Sequence, residues 1–169
     1  MIAIFSDTHS RRGHELEGEA LAAAREADAV IHAGDFTSVA ALEAFRELCP
    51  TFVAVHGNAD EPAVRDRLPG ERVVEEGDVR IAVTHRRDGG ETGLAMFGRA
   101  HEADVVVSGH THRPTVVDAE GPLLLNPGSH AQPRGNRPGF ALLESTEGSV
   151  VGQLLEPDGT FIRAFGDDR

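Results

Sequence analysis

Residues 1–55 alternate short apolar segments with amphipathic ones, and this alternation constrains the fold more than any other feature of the sequence. The apolar segments, at 1–5, 29–32 and 51–55, have the length of strands. The segments between them, at 15–27 and 38–48, repeat apolar residues three and four positions apart, as helices do. Strands that alternate with helices form a parallel sheet with helices on its faces. The sequence therefore predicts an α/β fold.

The rest of the chain is richer in strands. They are predicted at 72–75, 79–84, 104–108, 115–118, 123–125, 140–144, 149–155 and 160–165, with a helix at 91–103. Turn-forming residues at 76–78, 120–122, 148 and 157–159 separate neighbouring strands, and the first two turns predict hairpins. We therefore expect two sheets. A length of 169 residues favours one domain that spans residues 1–169.

The sequence is strongly acidic, with 28 Asp and Glu residues against 16 basic residues, all of them arginine, and a net charge of −12. Such a surface repels phosphate backbones, so a nucleic acid polymer is not an expected partner. The absence of lysine fits a salt-rich cytoplasm or a GC-rich genome, and we leave both readings open.

No apolar run approaches the roughly 20 residues that span a bilayer, and the first residues lack the pattern of a signal peptide. The single cysteine, Cys49, excludes an internal disulfide and a cysteine-rich zinc site. We therefore expect a cytoplasmic protein that does not bind a membrane.

Side chains that bind metals well follow most of the predicted strands in the first two-thirds of the chain. They are Asp7 and His9 after the first strand, Asp35 after the second, Asn58 after the third, His85 after the strand at 79–84, and His110 and His112 after the strand at 104–108. In open α/β sheets, ligands bind at the carboxyl ends of the strands. Because parallel strands bring those ends to one edge, we expect the seven side chains to converge there.

The local spacing suits coordination. In Asp7-Thr8-His9 and in His110-Thr111-His112, the outer residues are two apart and point the same way in an extended segment. Glycine directly precedes Asp35, Asn58 and His110, where it permits close backbone approach.

Each motif taken alone is more simply explained as a turn or a solvated strand. Seven polar groups at one edge, however, would be unstable without something to satisfy them. Seven ligands suit two adjacent metals better than one tetrahedral zinc. Carboxylate and imidazole without thiolate suit Mn, Fe, Co, Ni or Zn, and ligand type does not choose among them. We expect Mn²⁺.

In this order, five motifs resemble those of the calcineurin-like metallophosphoesterase superfamily. They are Asp7-Thr8-His9, Gly34-Asp35, Gly57-Asn58, Thr84-His85 and Gly109-His110-Thr111-His112. The stretch 126–129, followed by Pro133-Arg134, resembles the small bacterial and archaeal phosphodiesterases of that superfamily. The resemblance implies a four-layer αββα sandwich, in which two packed β-sheets are flanked by helices and a dinuclear metal site lies at the strand ends.

The resemblance also implies an assignment of the ligands. One metal would be held by Asp7, His9, Asp35 and His112, and the second by Asp35, Asn58, His85 and His110. Asp35 would bridge the two ions, and its two carboxylate oxygens suit that role. A hydroxide shared by the metals would be the nucleophile, so no side chain is assigned as catalytic. Asn58 is a candidate contact for the phosphate.

Two positions depart from the family pattern. Ala59 stands where many members have a histidine that serves as an acid, and Arg86 stands where many have a glycine. We expect Arg86 and Arg87 to pair with surface carboxylates, and leave open a contact with the substrate. The role of Asp60 is open as well. Outside the motifs, the five other histidines are expected to be structural, although His32 and His56, near strand ends, are candidates for orienting ligands.

The resulting hypothesis is a metal-dependent enzyme that hydrolyses a small phosphodiester. The alternatives are a phosphomonoesterase or pyrophosphatase with the same site, and a non-catalytic protein-interaction scaffold, because a eukaryotic retromer subunit shares the fold. The complete set of ligands favours an enzyme, and Ala59 favours diesters with good leaving groups. Small members of the family commonly self-associate, which implies a dimer or tetramer.

Overall fold

A computed structural model describes residues 1–119, 121–146 and 149–166. Its strands are β1 (Ile2–Phe5), β2 (Ala29–His32), β3 (Phe52–Ala54), β4 (Glu71–Glu76), β5 (Val79–Thr84), β6 (Val105–Val107), β7 (Thr115–Asp118), β8 (Leu123–Asn126), β9 (Phe140–Thr146), β10 (Ser149–Leu155) and β11 (Phe161–Phe165). Its helices are α1 (Gly18–Glu26), α2 (Val39–Arg46), α3 (Pro62–Arg65) and α4 (Gly90–Ala100). Within the described ranges, no helix combines the length and the apolar character that crossing a bilayer requires.

The strands form two mixed sheets. The first has the order β11-β10-β9-β1-β2-β3, and β1, β2 and β3 run parallel in it, as the alternation of strands and helices predicted. The second has the order β4-β5-β6-β8-β7, with β5, β6 and β8 parallel. The two predicted hairpins are present, because β4 pairs antiparallel with β5 and β7 pairs antiparallel with β8. The turn residues predicted at Glu120 and Gly148 lie outside the described residues.

The alternation of side chains along each strand separates three apolar layers. In β1, Ile2 and Ile4 face the second sheet, where they pack with residues such as Ile81 and Val105. Ala3 and Phe5 face the opposite way, against α1 and α2. A third cluster joins α4 to the outer face of the second sheet. The order is therefore helices, sheet, sheet, helix, which confirms the predicted four-layer sandwich of two packed β-sheets flanked by helices.

The helices are shorter than predicted, for reasons of backbone geometry. The segment at 15–27 becomes helical only at Gly18, because Glu15 has φ +54° and the backbone N–H of Leu16 donates to His14 Nδ1 instead. The segment at 91–103 ends at Ala100, and Glu102 follows with φ +53°. Ser38 caps α2 by accepting a hydrogen bond from the backbone N–H of Ala41. The sequence did not predict the single turn α3.

Candidate metal centre

The seven predicted ligands lie in loops that follow five strands, and the two sheets share them unevenly. Asp7, His9, Asp35 and Asn58 follow β1, β2 and β3 of the first sheet. His85, His110 and His112 follow β5 and β6 of the second sheet. Both carboxylates therefore come from one sheet, and three of the four imidazoles come from the other.

Asp7, His9 and His112 form the first cluster of donors, and their ligand atoms lie within 4.8 Å of one another. His112 Nε2 is 3.4 Å from Asp7 Oδ1, and His9 Nε2 is 3.8 Å from the same oxygen. The two imidazole rings stack with centroids 4.9 Å apart. Asp7 and His112 are buried, so this cluster is accessible mainly from the side of His9.

Asp7, Asp35 and His85 form the second cluster, with the same 4.8 Å limit between ligand atoms. His85 Nε2 lies 3.2 Å from Asp35 Oδ2, and His9 Nε2 lies 3.5 Å from the same oxygen on the other side. Asp35 therefore stands between a histidine of the first sheet and a histidine of the second. Asp7 belongs to both clusters, so both carboxylates lie close to imidazoles of the two sheets.

Asn58 and His110 lie at the exposed rim of these clusters. His110 Nδ1 is 2.9 Å from Asn58 Oδ1, and the two groups form a hydrogen bond. The His110 ring also stands edge-on to the His85 ring, with centroids 5.4 Å apart. Its backbone N–H donates to Asp7 Oδ2 at 2.9 Å. The fold thus brings these two residues to the buried donors as well.

The backbone of the site is strained. Five of the seven residues adopt the left-handed region, namely Asp7 (φ 55°), His9 (φ 47°), Asp35 (φ 61°), His110 (φ 74°) and His112 (φ 59°). Asp and His tolerate this region better than most residues, but it still costs about 1 kcal/mol or more at each position. Such strain persists only where the surrounding structure enforces it, and it concentrates at functional sites.

Two glycines allow the loops to approach each other. A Cβ at Gly57 would lie 2.1 Å from Asp35 Oδ1 and 2.6 Å from the Asp35 backbone nitrogen. A Cβ at Gly109 would lie 2.4 Å from Ser6 Oγ and 2.7 Å from Asp7 Oδ2. Both contacts are shorter than any real side chain permits. These glycines therefore serve close packing against the two carboxylates.

In His85 and His112, the Nε2 atom is free to bind a cation, because Nδ1 forms the hydrogen bond to the protein. His85 Nδ1 donates to the Ala33 carbonyl oxygen at 2.8 Å, and His112 Nδ1 donates to the Gln132 carbonyl oxygen. The Nε2 atom of each ring therefore carries a lone pair, which points at a carboxylate oxygen. His85 Nε2 is buried and has no hydrogen-bond partner among the described residues. Lone pairs that face carboxylates in a buried site fit a bound divalent cation.

The ionisation of the pair Asp35 and His85 shows the same demand for positive charge. Burial alone would raise the pKa of Asp35, but the contact with the His85 imidazole and the positive charge of that ring outweigh burial and hold the pKa at about 2. Burial alone would lower the pKa of His85, but the contact with Asp35 raises it. The site thus stabilises an ionised carboxylate next to a group that must be cationic or must face a cation.

Asp60 is a site residue whose role the sequence left open. Its carboxylate is 3% exposed and accepts three backbone hydrogen bonds, from Gly57 at 2.7 Å, Thr37 at 2.7 Å and Asp35 at 3.1 Å. Burial raises the pKa of Asp60, although the three donors partly offset it. Asp60 therefore ties the loop after β3 to the loop after β2, and so positions both Asn58 and Asp35.

The segment that begins at Asn126 braces the opposite side of the site. Asn126 Nδ2 donates to the Gly109 carbonyl oxygen at 2.8 Å, next to His110. Ser129 Oγ donates to the Asp7 carbonyl oxygen at 2.7 Å. Arg134 Nη2 comes within 3.5 Å of His9 Nε2 at the exposed edge. This segment therefore joins the loops after β1 and β6, and it places a guanidinium beside the metal ligands.

The two histidine candidates for orienting ligands differ. His32 is fully buried, and its Nε2 lies 2.9 Å from the hydroxyl of Thr8, the residue between Asp7 and His9. Its Nδ1 accepts from the backbone N–H of Gly34 at 3.2 Å. The His56 ring has one hydrogen-bond contact among the described residues, from Nδ1 to the neighbouring Gly57 carbonyl oxygen at 3.4 Å. His32 thus contacts two site loops, and His56 contacts one.

The two neighbouring arginines also differ. Arg87 pairs with Glu71 and lies over the Phe97 ring at 4.0 Å, as expected for a surface ion pair. Arg86 is exposed and pairs with no carboxylate in the described part of the chain, contrary to the expectation. Ala59, the other departure from the family pattern, donates its backbone N–H to Asp35 Oδ1 at 2.7 Å.

Comparison with known proteins decides the family. Residues 1–148 match the calcineurin-like phosphoesterase superfamily domain. The chain belongs to the calcineurin-like phosphoesterase superfamily. Membership implies divalent metal ions, for which the clustered carboxylates and imidazoles provide candidate ligands, and it supports a hydrolase.

Relatives of this metallophosphoesterase include a protein described as a probable metallophosphoesterase of Methanothermobacter thermautotrophicus. The two are 34% identical over 169 residues, which cover 98% of this chain and 97% of the relative. A phosphodiesterase of Methanocaldococcus jannaschii is 26% identical over 138 residues, 75% of this chain and 82% of that protein. Among solved structures, vacuolar protein sorting 29 of Cryptosporidium parvum superposes with a TM-score of 0.83 at 21% identity, covering 98% of this chain and 97% of that chain. This last likeness shows the fold alone.

Proposed function

We propose that this metallophosphoesterase hydrolyses a small phosphodiester with the help of two divalent cations. The observation that carries the proposal is the position of Asp35. Its Oδ2 atom lies 3.5 Å from His9 Nε2 and 3.2 Å from His85 Nε2, so one carboxylate faces both halves of the donor set.

The proposed ligand sets follow from this position. Asp7, His9, Asp35 and His112 would hold one cation. Asp35, Asn58, His85 and His110 would hold the other after the hydrogen bond between Asn58 and His110 opens. Mn²⁺ is the proposed metal, because oxygen and nitrogen donors without thiolate suit it, and Fe, Co, Ni and Zn suit the same donors. The cations, when bound, activate water as a nucleophile and supply positive charge to the phosphoryl oxygens.

The residues of the chain position the ester. Asn58 lies at the exposed rim, where its amide can contact a phosphoryl oxygen. The Arg134 guanidinium, next to His9, adds positive charge at the same edge. Ser129, Asn126 and Asp60 hold the surrounding loops by hydrogen bonds to their backbones. Preorganised charge of this kind contributes most of the stabilisation of a phosphoryl-transfer transition state.

A preference for diesters rests on Ala59. Its methyl group provides no acid to protonate a departing oxygen, so substrates whose leaving groups are stable anions should react fastest. The M. jannaschii relative is described as a phosphodiesterase, which supports the same substrate class. A phosphomonoesterase with this site remains the nearest alternative. We favour an enzyme over a protein-interaction scaffold, because the chain retains every proposed ligand.

The test measures metal content and turnover together. Protein treated with a chelator is reloaded with Mn²⁺, its bound metal is quantified by mass spectrometry, and rates are measured on bis(p-nitrophenyl) phosphate and p-nitrophenyl phosphate. We expect two cations per chain and faster hydrolysis of the diester. Faster hydrolysis of the monoester would contradict the diester preference. Bound metal without turnover of either compound would contradict the enzymatic function.

A further inference from the structure

A cavity of about 400 Å³ opens directly beside the proposed metal centre. His85 and His110 line its inner end, and it extends from there between α4 and the outer face of the second sheet. A volume of this size accommodates a small organic group. The metal centre thus has an adjacent space that the hydrolytic chemistry alone does not require.

The walls of this cavity are largely apolar. Leu94 of α4, Val117 of β7 and Leu124 of β8 all line it. Leu124 is 4% exposed, and Leu94 and Val117 are partly buried against the same apolar cluster. The cavity exists because α4 packs on β6 and β8, while β7 is the edge strand and lies beyond that contact. Its outward-facing side chains Thr115 and Val117 therefore stay accessible.

The mouth of the cavity carries positive charge. Arg86 and Arg113 line it, and neither guanidinium pairs with a carboxylate among residues 1–119, 121–146 and 149–166. Glu91, exposed at the first turn of α4, is the acidic residue of the lining. Arg86 also lines a second cavity of about 280 Å³ on the side of Asn58. Because they lie next to the proposed metal centre, these two guanidinium groups suit a phosphate.

We propose that the substrate is a phosphodiester with an aromatic or similarly apolar ring on the ester group that stays attached to phosphorus, and that this ring lies in the cavity between Leu94 and Val117 while Arg86 contacts the phosphate. The inference deepens the proposed function and rests on it. The apolar walls suit the retained ester group, because the oxygen of the departing group acquires negative charge, which apolar surroundings disfavour.

Binding of two phosphonates to the Mn²⁺-loaded protein tests the proposal without turnover, because a carbon–phosphorus bond is not hydrolysed. Phenylphosphonate carries the ring, and methylphosphonate carries the same head group without it. Isothermal titration calorimetry should give a Kd for phenylphosphonate at least about tenfold lower than for methylphosphonate, from burial of the ring. Equal affinities, or no binding of either compound, would overturn the proposal.

Two cavity-filling variants and one control locate the ring. Val117→Trp fills the cavity and should abolish the preference for phenylphosphonate while leaving the affinity for methylphosphonate unchanged. Thr115→Phe, on the same face of β7, provides the same test if the first variant does not fold. The matched control is Met96→Trp, which introduces the same side chain at a position of α4 that is 63% exposed and outside the cavity. A retained preference in a folded, cavity-filled variant would overturn the location.

Arg86→Gln should raise the Kd for both phosphonates by the same factor, about tenfold, because the Arg86 side chain contacts the head group that the two compounds share. An unchanged affinity for both compounds would overturn the role of Arg86.

Failure of the enzymatic function and failure of the ring site give different results. A ring preference without turnover of any diester contradicts the enzymatic function and leaves the ring site standing. Turnover of bis(p-nitrophenyl) phosphate without a ring preference contradicts only the ring site.

Discussion

The backbone N–H of Asp35 donates a hydrogen bond to the buried carboxylate of Asp60, at 3.1 Å. Asp60 accepts further hydrogen bonds from Gly57 and Thr37. The proposed bridging carboxylate is thus positioned by a second carboxylate, which lies 25 residues further along the chain and binds no metal in our assignment. The first prediction tests this dependence.

Asp60→Asn should lower the affinity for Mn²⁺ and the rate of diester hydrolysis by about 10- to 100-fold, as is typical for residues that orient ligands. In the wild type, both oxygens of Asp60 accept hydrogen bonds from backbone N–H groups. The asparagine amide keeps one acceptor oxygen and replaces the other with an NH₂ group, which cannot accept a hydrogen bond from a backbone N–H. Metal titration and steady-state kinetics measure the two effects. Asp66→Asn, exposed at the end of α3, is the control. Wild-type affinity in a folded Asp60→Asn protein would show that Asp35 keeps its place without Asp60.

Asp35→Ala should abolish turnover and leave the protein without its full metal content. The substitution removes a carboxylate whose Oδ2 lies 3.5 Å from His9 Nε2 and 3.2 Å from His85 Nε2, so both proposed ligand sets lose a member. Metal analysis after reloading gives the stoichiometry, and circular dichroism checks the fold. Wild-type stoichiometry in this variant would make the bridging assignment wrong.

Gly57→Ala should disrupt the site although it adds only a methyl group. The new Cβ would lie 2.1 Å from Asp35 Oδ1 and 2.6 Å from the Asp35 nitrogen, so one of the two loops must move. We expect a loss of about 1–3 kcal/mol in the free energy of unfolding, as for other overpacked positions, together with a large loss of turnover. Denaturant unfolding measures the first quantity. Gly13→Ala, whose nearest contact would be 3.9 Å away, should change neither.

The stability of the protein should fall in mild acid because of His130. Burial lowers the pKa of His130 from 6.5 to about 4. Between these two pH values the side chain is mostly protonated in the unfolded chain and mostly neutral in the folded chain. The free energy of unfolding is not reduced by this group above pH 6.5, and it decreases as the pH drops from 6.5 towards 4. At pH 5 the loss amounts to about 2 kcal/mol. His32, whose pKa burial also lowers well below 6.5, acts in the same direction.

His130→Gln isolates this contribution, because the amide keeps a donor for the His14 carbonyl oxygen and does not titrate. Denaturant unfolding at pH 7.5 and pH 5 should show a smaller difference for His130→Gln than for the wild type. His101→Gln, a partly exposed position at the end of α4, should keep the wild-type difference. Equal pH dependence in all three proteins would mean that His130 is not the source.

Much of the fold was predictable because apolar periodicity and strand order are local properties. The segment 29–32 consists of three apolar residues followed by His32, and it forms β2 with the predicted bounds. The convergence of the seven polar residues followed from a rule about parallel strands rather than from distances. The start of α1 was not predictable, since it depends on the left-handed backbone at Glu15, which the residue types do not indicate.

The supporting residues of the site were harder to find. Asp60 acts through backbone N–H groups of three different loop positions, and no side-chain pattern in the sequence records such partners. Arg86 and Arg87 are adjacent and alike in sequence, yet only Arg87 meets Glu71, because β4 and β5 pair antiparallel and bring that carboxylate alongside. The different environments of Arg86 and Arg87 therefore depend on contacts between strands, which the local sequence does not indicate.

The division of donors between the two sheets has a mechanical consequence. Both carboxylates follow strands of one sheet, and three of the imidazoles follow strands of the other. A cation bound by donors of both sheets would therefore cross-link the two sheets. Sliding one layer over the other by about 1 Å would pull the donors out of reach of a shared ion. Loading the centre would therefore lock the relative placement of the layers, and its rigidity would be a property of the whole molecule rather than of one loop.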